Sequence, residues 1–210
     1  MTSLADYYER RAPDYDAVYA KPERQADLGR LQALLPPLFA DRSVLEVAAG
    51  TGYWTQFIAP VAREVYATDY NAAPLAIARS RSYPRGNVRF GRADAFALSG
   101  SFDAAFVGFW WSHMMRADVD RFLAGLCSCL RPGSVAAIVD NRYVEGSNYP
   151  ITRTDNSGNT YQQRSLPDGS TYEVLKNFPT AAELVAIASR HGSGADVVEL
   201  DYYWMLTLTT

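Results

Sequence analysis

The sequence predicts an α/β fold on an open, mostly parallel sheet, and three observations predict it. Val44-Leu45-Glu46-Val47 reads as a buried strand that turns through small residues, Ala48 to Gly52, into a segment able to begin a helix. Further β-rich or apolar runs, Glu64 to Asp69, Asn87 to Gly91, Ser101 to Phe109 and Val135 to Asp140, alternate with stretches of helical spacing, the order that winds a parallel sheet. Two of those runs lead into acids, Asp69 and Asp94, at strand ends, where a sheet of this kind forms its ligand crevice.

Composition sets the bounds. At 210 residues, 48% of them apolar, the chain has the length of a single domain, 1–210, with a substantial core. Its net charge is −3 and its Lys and Arg residues are scattered, which gives a nucleic-acid partner no electrostatic support. The only cysteines, Cys127 and Cys129, stand two apart in a helical stretch and point in different directions, so no disulfide is expected and a reducing cytoplasm is the natural location. No basic-then-apolar leader opens the chain, and no apolar run approaches the ~18 residues of a membrane span. The expected protein is soluble and cytoplasmic, with no membrane contact.

In chain order, residues 1–40 read as a helical N-terminal cover. Tyr7, Tyr8, Tyr15 and Tyr19 give its first half an amphipathic character, and Pro13 divides it. Leu28, Leu31, Leu34 and Leu35 then recur at helical spacing, with Pro36-Pro37 expected to end the run. The first strand and its glycine turn follow. Such a turn presents free backbone N–H groups and lets a ligand approach where no Cβ stands in the way. A phosphate-cradling loop would need Lys and then Ser or Thr after the last glycine, where Tyr53-Trp54 stand instead. A dinucleotide fingerprint would need a third glycine three residues after Gly52, the place of Thr55.

Glu46 to Gly52 resembles acidic-x-Gly-x-Gly-x-Gly, the first motif of class I S-adenosylmethionine-dependent methyltransferases, with Ala48 in the place of the first glycine. The resemblance implies a seven-stranded, doubly wound sheet with helices on both faces and S-adenosylmethionine as cofactor, leaving S-adenosylhomocysteine as product, with no metal. It implies that Glu46 helps hold the amino-acid end of the cofactor while Ala48, Gly50 and Gly52 leave room for its body. The opening Arg11-Ala12-x-x-Tyr15-Asp16 looks like that of small-molecule, quinone-methylating members, where a tyrosine at the position of Tyr15 lies over the cofactor as part of a lid. A plain amphipathic cover remains an equal reading of the same face.

Asp69 ends the second strand about 20 residues past the glycine turn, where a carboxylate can accept from both ribose hydroxyls. Asn71 is placed to cap the next helix, with Pro74 in its first turn. By resemblance Asp94, followed by the small Ala95, accepts from the adenine amino group, and Tyr70 and Phe109 stand on the cofactor side. The fourth strand runs into Trp110-Trp111-Ser112-His113, where the family meets the transferable methyl group. Indole faces attract cations, and imidazole can take a proton near neutral pH. His113 is therefore the catalytic candidate, and Trp110, Trp111 and Tyr143 are candidates for the substrate pocket.

Val119, Phe122, Leu123, Leu126 and Leu130 share a helix face, and Arg131-Pro132-Gly133 is expected to stop that helix before the fifth strand. Residues 145–176 form an insert with a hairpin about Pro167-Asp168-Gly169, open to reading as a substrate-side cover, a dimer contact or an ordered loop. Thr180 to Glu183 is a capping box, and Val197 to Leu208 closes the sheet, either as two strands broken at Asp201-Tyr202 or as one with the hairpin in the place of the other. The expected activity is methyl transfer to a small-molecule acceptor, at oxygen or nitrogen, by a monomer or homodimer. A catalytically silent cofactor-binding subunit and a nicotinamide-dependent oxidoreductase are the competing readings.

Overall fold

The computed structural model describes residues 4–210. α1 (Leu4–Arg11) and a 3-10 stretch over Ala12–Ala20 lead into α2 (Gln25–Phe39). α2 runs through Pro36 and Pro37, which corrects the expectation that they end it. Each proline removes one N–H bond, but both losses fall in the final turn, which the fully buried Phe39 anchors.

Then come β1 (Ser43–Val47), the short α3 (Thr55–Ile58), β2 (Glu64–Asp69), α4 (Ala72–Ser80), β3 (Val88–Arg92) and β4 (Phe102–Gly108). α5 (Val119–Ser128) and β5 (Leu130–Asn141) precede β6 (Arg153–Thr154), β7 (Thr160–Ser165) and β8 (Thr171–Leu175), and α6 (Ala181–Ala188), β9 (Ser193–Glu199) and β10 (Tyr203–Thr209) complete the chain. The main sheet has seven strands in the order β3-β2-β1-β4-β5-β10-β9. β1 to β5 pair in parallel, and β10 lies antiparallel between β5 and β9. Strand order reverses between β1 and β4, so the crevice of the sheet opens at the carboxyl ends of those two strands.

Both faces of the sheet are covered, because its residues alternate between two buried clusters. Val44, Ala104 and Phe106 pack on Leu28, Leu31, Leu35 and Phe39 of α2. Leu45, Val47, Ala105 and Val107 pack on Phe122, Leu123 and Leu126 of α5. Residues 131–133 do not form a turn outside the sheet. α5 ends at Ser128, and Arg131-Pro132-Gly133 lie within β5 as an irregularity, where pairing with β4 jumps from Leu130 to Val135 and Gly133 takes a φ of +79°. The break at Asp201-Tyr202 makes two strands of the last run. The hairpin does not join the main sheet; β6, β7 and β8 make a separate antiparallel sheet.

Thr180 and Glu183 form the capping box at α6. Asn71 stands at the start of α4, yet its side chain does not cap the helix. Its amide donates 2.6 Å to the Ala5 carbonyl, and the Glu9 carboxylate accepts from the Ala73 N–H at 3.1 Å instead. A more distant acid has displaced the local cap, and in doing so it ties α1 to the first turn of α4.

Candidate functional site

The turn after β1 is held open by hydrogen bonds from its neighbour. The Ala49 N–H donates to the Thr68 carbonyl at 2.9 Å, and the Gly50 N–H donates to Asp69 Oδ2 at 2.9 Å. The other Asp69 oxygen accepts from the Asn71 N–H at 2.8 Å, so the carboxylate is fixed with acceptor capacity to spare. Burial raises its pKa above the ordinary aspartate value, and the backbone donors oppose that rise.

Gly50 has a φ of +56°, and a Cβ built there meets only the Tyr15 ring, at 3.9 Å, so its missing side chain is space over the turn. Among the described residues three non-glycine residues have positive φ, including Ala48 at +55° and Phe109 at +58°. Both of these line one cavity of about 320 Å³, a concentration of backbone strain of the kind found at ligand sites. Gly50, Asp69, Tyr70, Asp94 and Ala95 line the same cavity, with Trp110, Tyr15 and His113.

Four of the expected site residues stand outside that wall. Glu46 shares the parity of Val44, so strand alternation turns it beneath the glycine turn, toward the α2 and α3 side. It is 1% exposed, its Oε2 has no partner, and burial pushes its pKa up to about 8. Gly52 serves packing: a Cβ there would stand 2.6 Å from the Tyr83 hydroxyl and 3.0 Å from the Ala78 Cβ. Trp111 is buried in the core against Trp204, ring centroids 5.8 Å apart, and does not line the cavity. Tyr143 is 41% exposed and packs on Phe178.

The N-terminal cover and the hairpin insert meet as a roof. Asp16 accepts hydrogen bonds from Thr51 and pairs with Arg81, clamping the cover over the turn. Arg10 reaches Tyr172 and Asp168, and Tyr7 packs with Leu166, Tyr172 and Val174, clamping it to the hairpin. From this roof the Tyr8 hydroxyl lies 2.7 Å from His113 Nε2. His113 Nδ1 lies 2.8 Å from the Leu175 carbonyl oxygen, which can only accept, so Nδ1 carries the proton and Nε2 accepts from Tyr8. The nitrogen that would act as a base is thus already occupied. Burial, with the positive field of Lys176, Arg164 and Arg11, holds the His113 pKa well below its ordinary value.

Tyr8, Tyr15, Phe109 and His113 also line a second, smaller chamber of about 90 Å³, so these four side chains stand between the two spaces. Arg11, Lys21, Arg24, Arg164 and Lys176 line that chamber, and among the described residues no carboxylate does. Behind it, Asp140 accepts from the Ser112 N–H and hydroxyl, both at 2.8 Å, and from Lys176 Nζ at 3.2 Å. Burial lowers the Lys176 pKa to about 8. The sequence reading missed Tyr8, Arg24, Arg164 and Lys176 as site residues. The sequence offers two weak signals for three of them, a tyrosine-rich start for Tyr8 and an insert carrying the cations Arg164 and Lys176, and none for Arg24.

The methyltransferase domain family matches residues 44–133. The chain is 31% identical over 165 residues to a probable S-adenosylmethionine-dependent methyltransferase of Mycolicibacterium smegmatis, an alignment covering 77% of this chain and 60% of that protein. It is 30% identical over 217 residues to a 2-phytyl-1,4-naphtoquinone methyltransferase of Thermosynechococcus vestitus, covering 97% of this chain and 82% of that one. A solved DhpI-SAM-HEP complex superposes with a TM-score of 0.80 at 27% identity, covering 100% of both chains.

Proposed function

The chain belongs to the class I S-adenosylmethionine-dependent methyltransferases, and from that premise we propose that it transfers the methyl group of S-adenosylmethionine to an oxygen or nitrogen of a small-molecule acceptor held in the smaller chamber. The observation that carries this reading is the pair of adjacent cavities, one at the carboxyl ends of β1 and β4 and the other under the hairpin, with Tyr8, Tyr15, Phe109 and His113 at their common wall. The solved neighbour whose complex contains both SAM and HEP supports a fold of this shape taking two ligands together.

The residues present fit the cofactor. The open space over Gly50 and the strained Ala48 and Phe109 backbone make a cradle that a Cβ at residue 50 would begin to fill. Asp69 would hold the ribose with the acceptor capacity its two backbone donors leave free, and Asp94, exposed at the end of β3, would take the adenine amino group. The cofactor would supply an electrophilic methyl on a sulfonium, a charge that the aromatic side chains of Tyr15 and Trp110 in the cavity lining would favour. Bringing acceptor and methyl into line is itself a large share of the catalysis. α1 and the hairpin lie over the common wall, where they would limit the access of water once both ligands are bound.

Since Tyr8 occupies Nε2, His113 acts as a positioning residue for the Tyr8 hydroxyl at the wall between the two cavities. Incubation with methyl-labelled cofactor and a metabolite panel tests the reading. Label appearing in an acceptor, with S-adenosylhomocysteine formed in equal amount, supports it. Tight cofactor binding with no transfer to any acceptor would make the protein a silent cofactor-binding subunit.

A further inference from the structure

We propose that the acceptor enters the smaller chamber as an oxyanion, a carboxylate or a phosphonate or phosphate group, held by the cations of the cover and the hairpin. This rests on the methyltransferase reading and names the substrate class. In a chain of net charge −3, five cationic side chains face a space of about 90 Å³ that no described carboxylate lines. Two of the five have acids nearby: Lys176 donates to Asp140, and Lys21 stands 4.0 Å from Glu23. Arg11, Arg24 and Arg164 make no ion pair with any described carboxylate.

Burial makes that absence informative. Arg24 is 5% exposed and donates only to neutral groups, the Asn141 amide oxygen at 2.9 Å, the Ser147 hydroxyl at 3.0 Å and 2.9 Å and the Ser147 carbonyl at 3.4 Å, beside the rings of Tyr202 and Tyr203; Glu23 is reached only through the Ser147 hydroxyl, which donates to it at 2.8 Å. Arg164 is 9% exposed, donates 2.8 Å to Gln162 and lies over the Tyr149 ring, while its Nε has no partner at all. Desolvating a guanidinium is costly unless a counter-charge meets it, and here the missing counter-charge has a place to sit. Guanidinium forks suit the paired oxygens of carboxylate and phosph(on)ate groups.

The same class answers the problem of the base. An oxyanion needs no deprotonation: one of its oxygen lone pairs forms the O–CH3 bond, the S–CH3 bond breaks with its electrons passing to sulfur, and a neutral thioether and a methyl ester result with no proton to place. A site whose histidine is already engaged and held neutral fits that chemistry.

Titration calorimetry on the protein loaded with S-adenosylhomocysteine tests it, using phenylphosphonate, benzoate and the neutral benzamide. At least one anion should bind, at least about tenfold more tightly than benzamide and more weakly as salt rises. The tighter of the two assigns the group as tetrahedral or planar. Arg164→Gln should weaken that anion at least about tenfold while leaving the affinity for S-adenosylhomocysteine unchanged. Arg11→Gln, at a half-buried position of the cover, gives the same readout should the first variant fail to fold. Benzamide binding as tightly as both anions, no anion binding at millimolar concentration, or both variants binding like wild type would overturn the proposal. Failure of S-adenosylhomocysteine to bind would overturn the cofactor reading instead, and the anion titrations on the unloaded protein would still decide this one.

Discussion

Asp69→Ala tests the proposed contact between this carboxylate and the ribose of the cofactor. In the folded protein the two Asp69 oxygens each accept one backbone N–H, from Gly50 at 2.9 Å and from Asn71 at 2.8 Å. A carboxylate has about four acceptor sites, so roughly two are left for ribose hydroxyls. Removing the side chain deletes charge-assisted bonds to the cofactor, a loss of about 1–3 kcal/mol, or about 5–150-fold in Kd. It also frees the Gly50 N–H and loosens the turn, which adds to the loss. Asn is no rescue, because its amide nitrogen would face one of the two N–H groups its oxygen cannot reach. Calorimetric titration with S-adenosylhomocysteine, with circular dichroism to establish folding, measures the effect. Since the folded-state pKa of Asp69 is raised, wild-type affinity should fall with decreasing pH sooner than an ordinary aspartate would dictate, and the variant should lose that dependence. A folded Asp69→Ala protein with Kd within twofold of wild type at every pH would refute the assignment.

Three further outcomes are expected. Gly50→Val should abolish cofactor binding in the same titration, because a β-branched side chain is strained at φ +56° and enters the space beside Tyr15. Glu46→Gln should leave stability near wild type around pH 4–5 and become the more stable protein as pH rises to about 8. Wild-type Glu46 keeps its proton when folded up to about 8, while the unfolded chain ionises near 4.5, so the wild type alone loses stability across that window, by at most about 5 kcal/mol; denaturant melts at several pH values read the difference. His113→Ala should raise the acceptor KM without removing an inflection near pH 6–7 from the kcat profile, because His113 stays neutral through that range; an inflection there in wild type that the variant lacks would restore His113 as the base.

The sheet was legible because its signals are local and repeated. Val44 to Val47, Glu64 to Asp69 and the apolar run before Trp110 each read as strands, and the structure places each within a parallel ladder. The misreadings occur where packing overrides a local rule. Pro36 and Pro37 are helix breakers by propensity, yet α2 keeps them in a turn anchored by Phe39. Asn71 is a capping residue by type, yet Glu9, far away in sequence, takes that role. The Arg131-Pro132-Gly133 turn became a strand irregularity because β4 continues alongside it.

The two halves of the site differ for the same reason. Gly50, Asp69 and Asp94 sit at successive strand ends, so spacing along the chain is enough to bring them together. The chamber has no such rule: its cations come from the cover, from β7 and from just past β8, and each looks in sequence like an ordinary surface charge. Nothing in sequence separates Arg164 from Arg153, which pairs with Glu173 in the same hairpin. What separates them is facing. In β7, Gln162 and Arg164 are buried while Gln163 and Ser165 are exposed, so the inward face of this strand carries an amide and a guanidinium where a purely structural strand would carry apolar residues. Two polar groups at i and i+2 on a buried face, with one guanidinium nitrogen left without a partner, cost the fold stability unless something polar meets them. In the sequence Gln162, Gln163, Arg164 and Ser165 are polar without interruption, so only their alternating burial in the folded strand distinguishes the two that face inward.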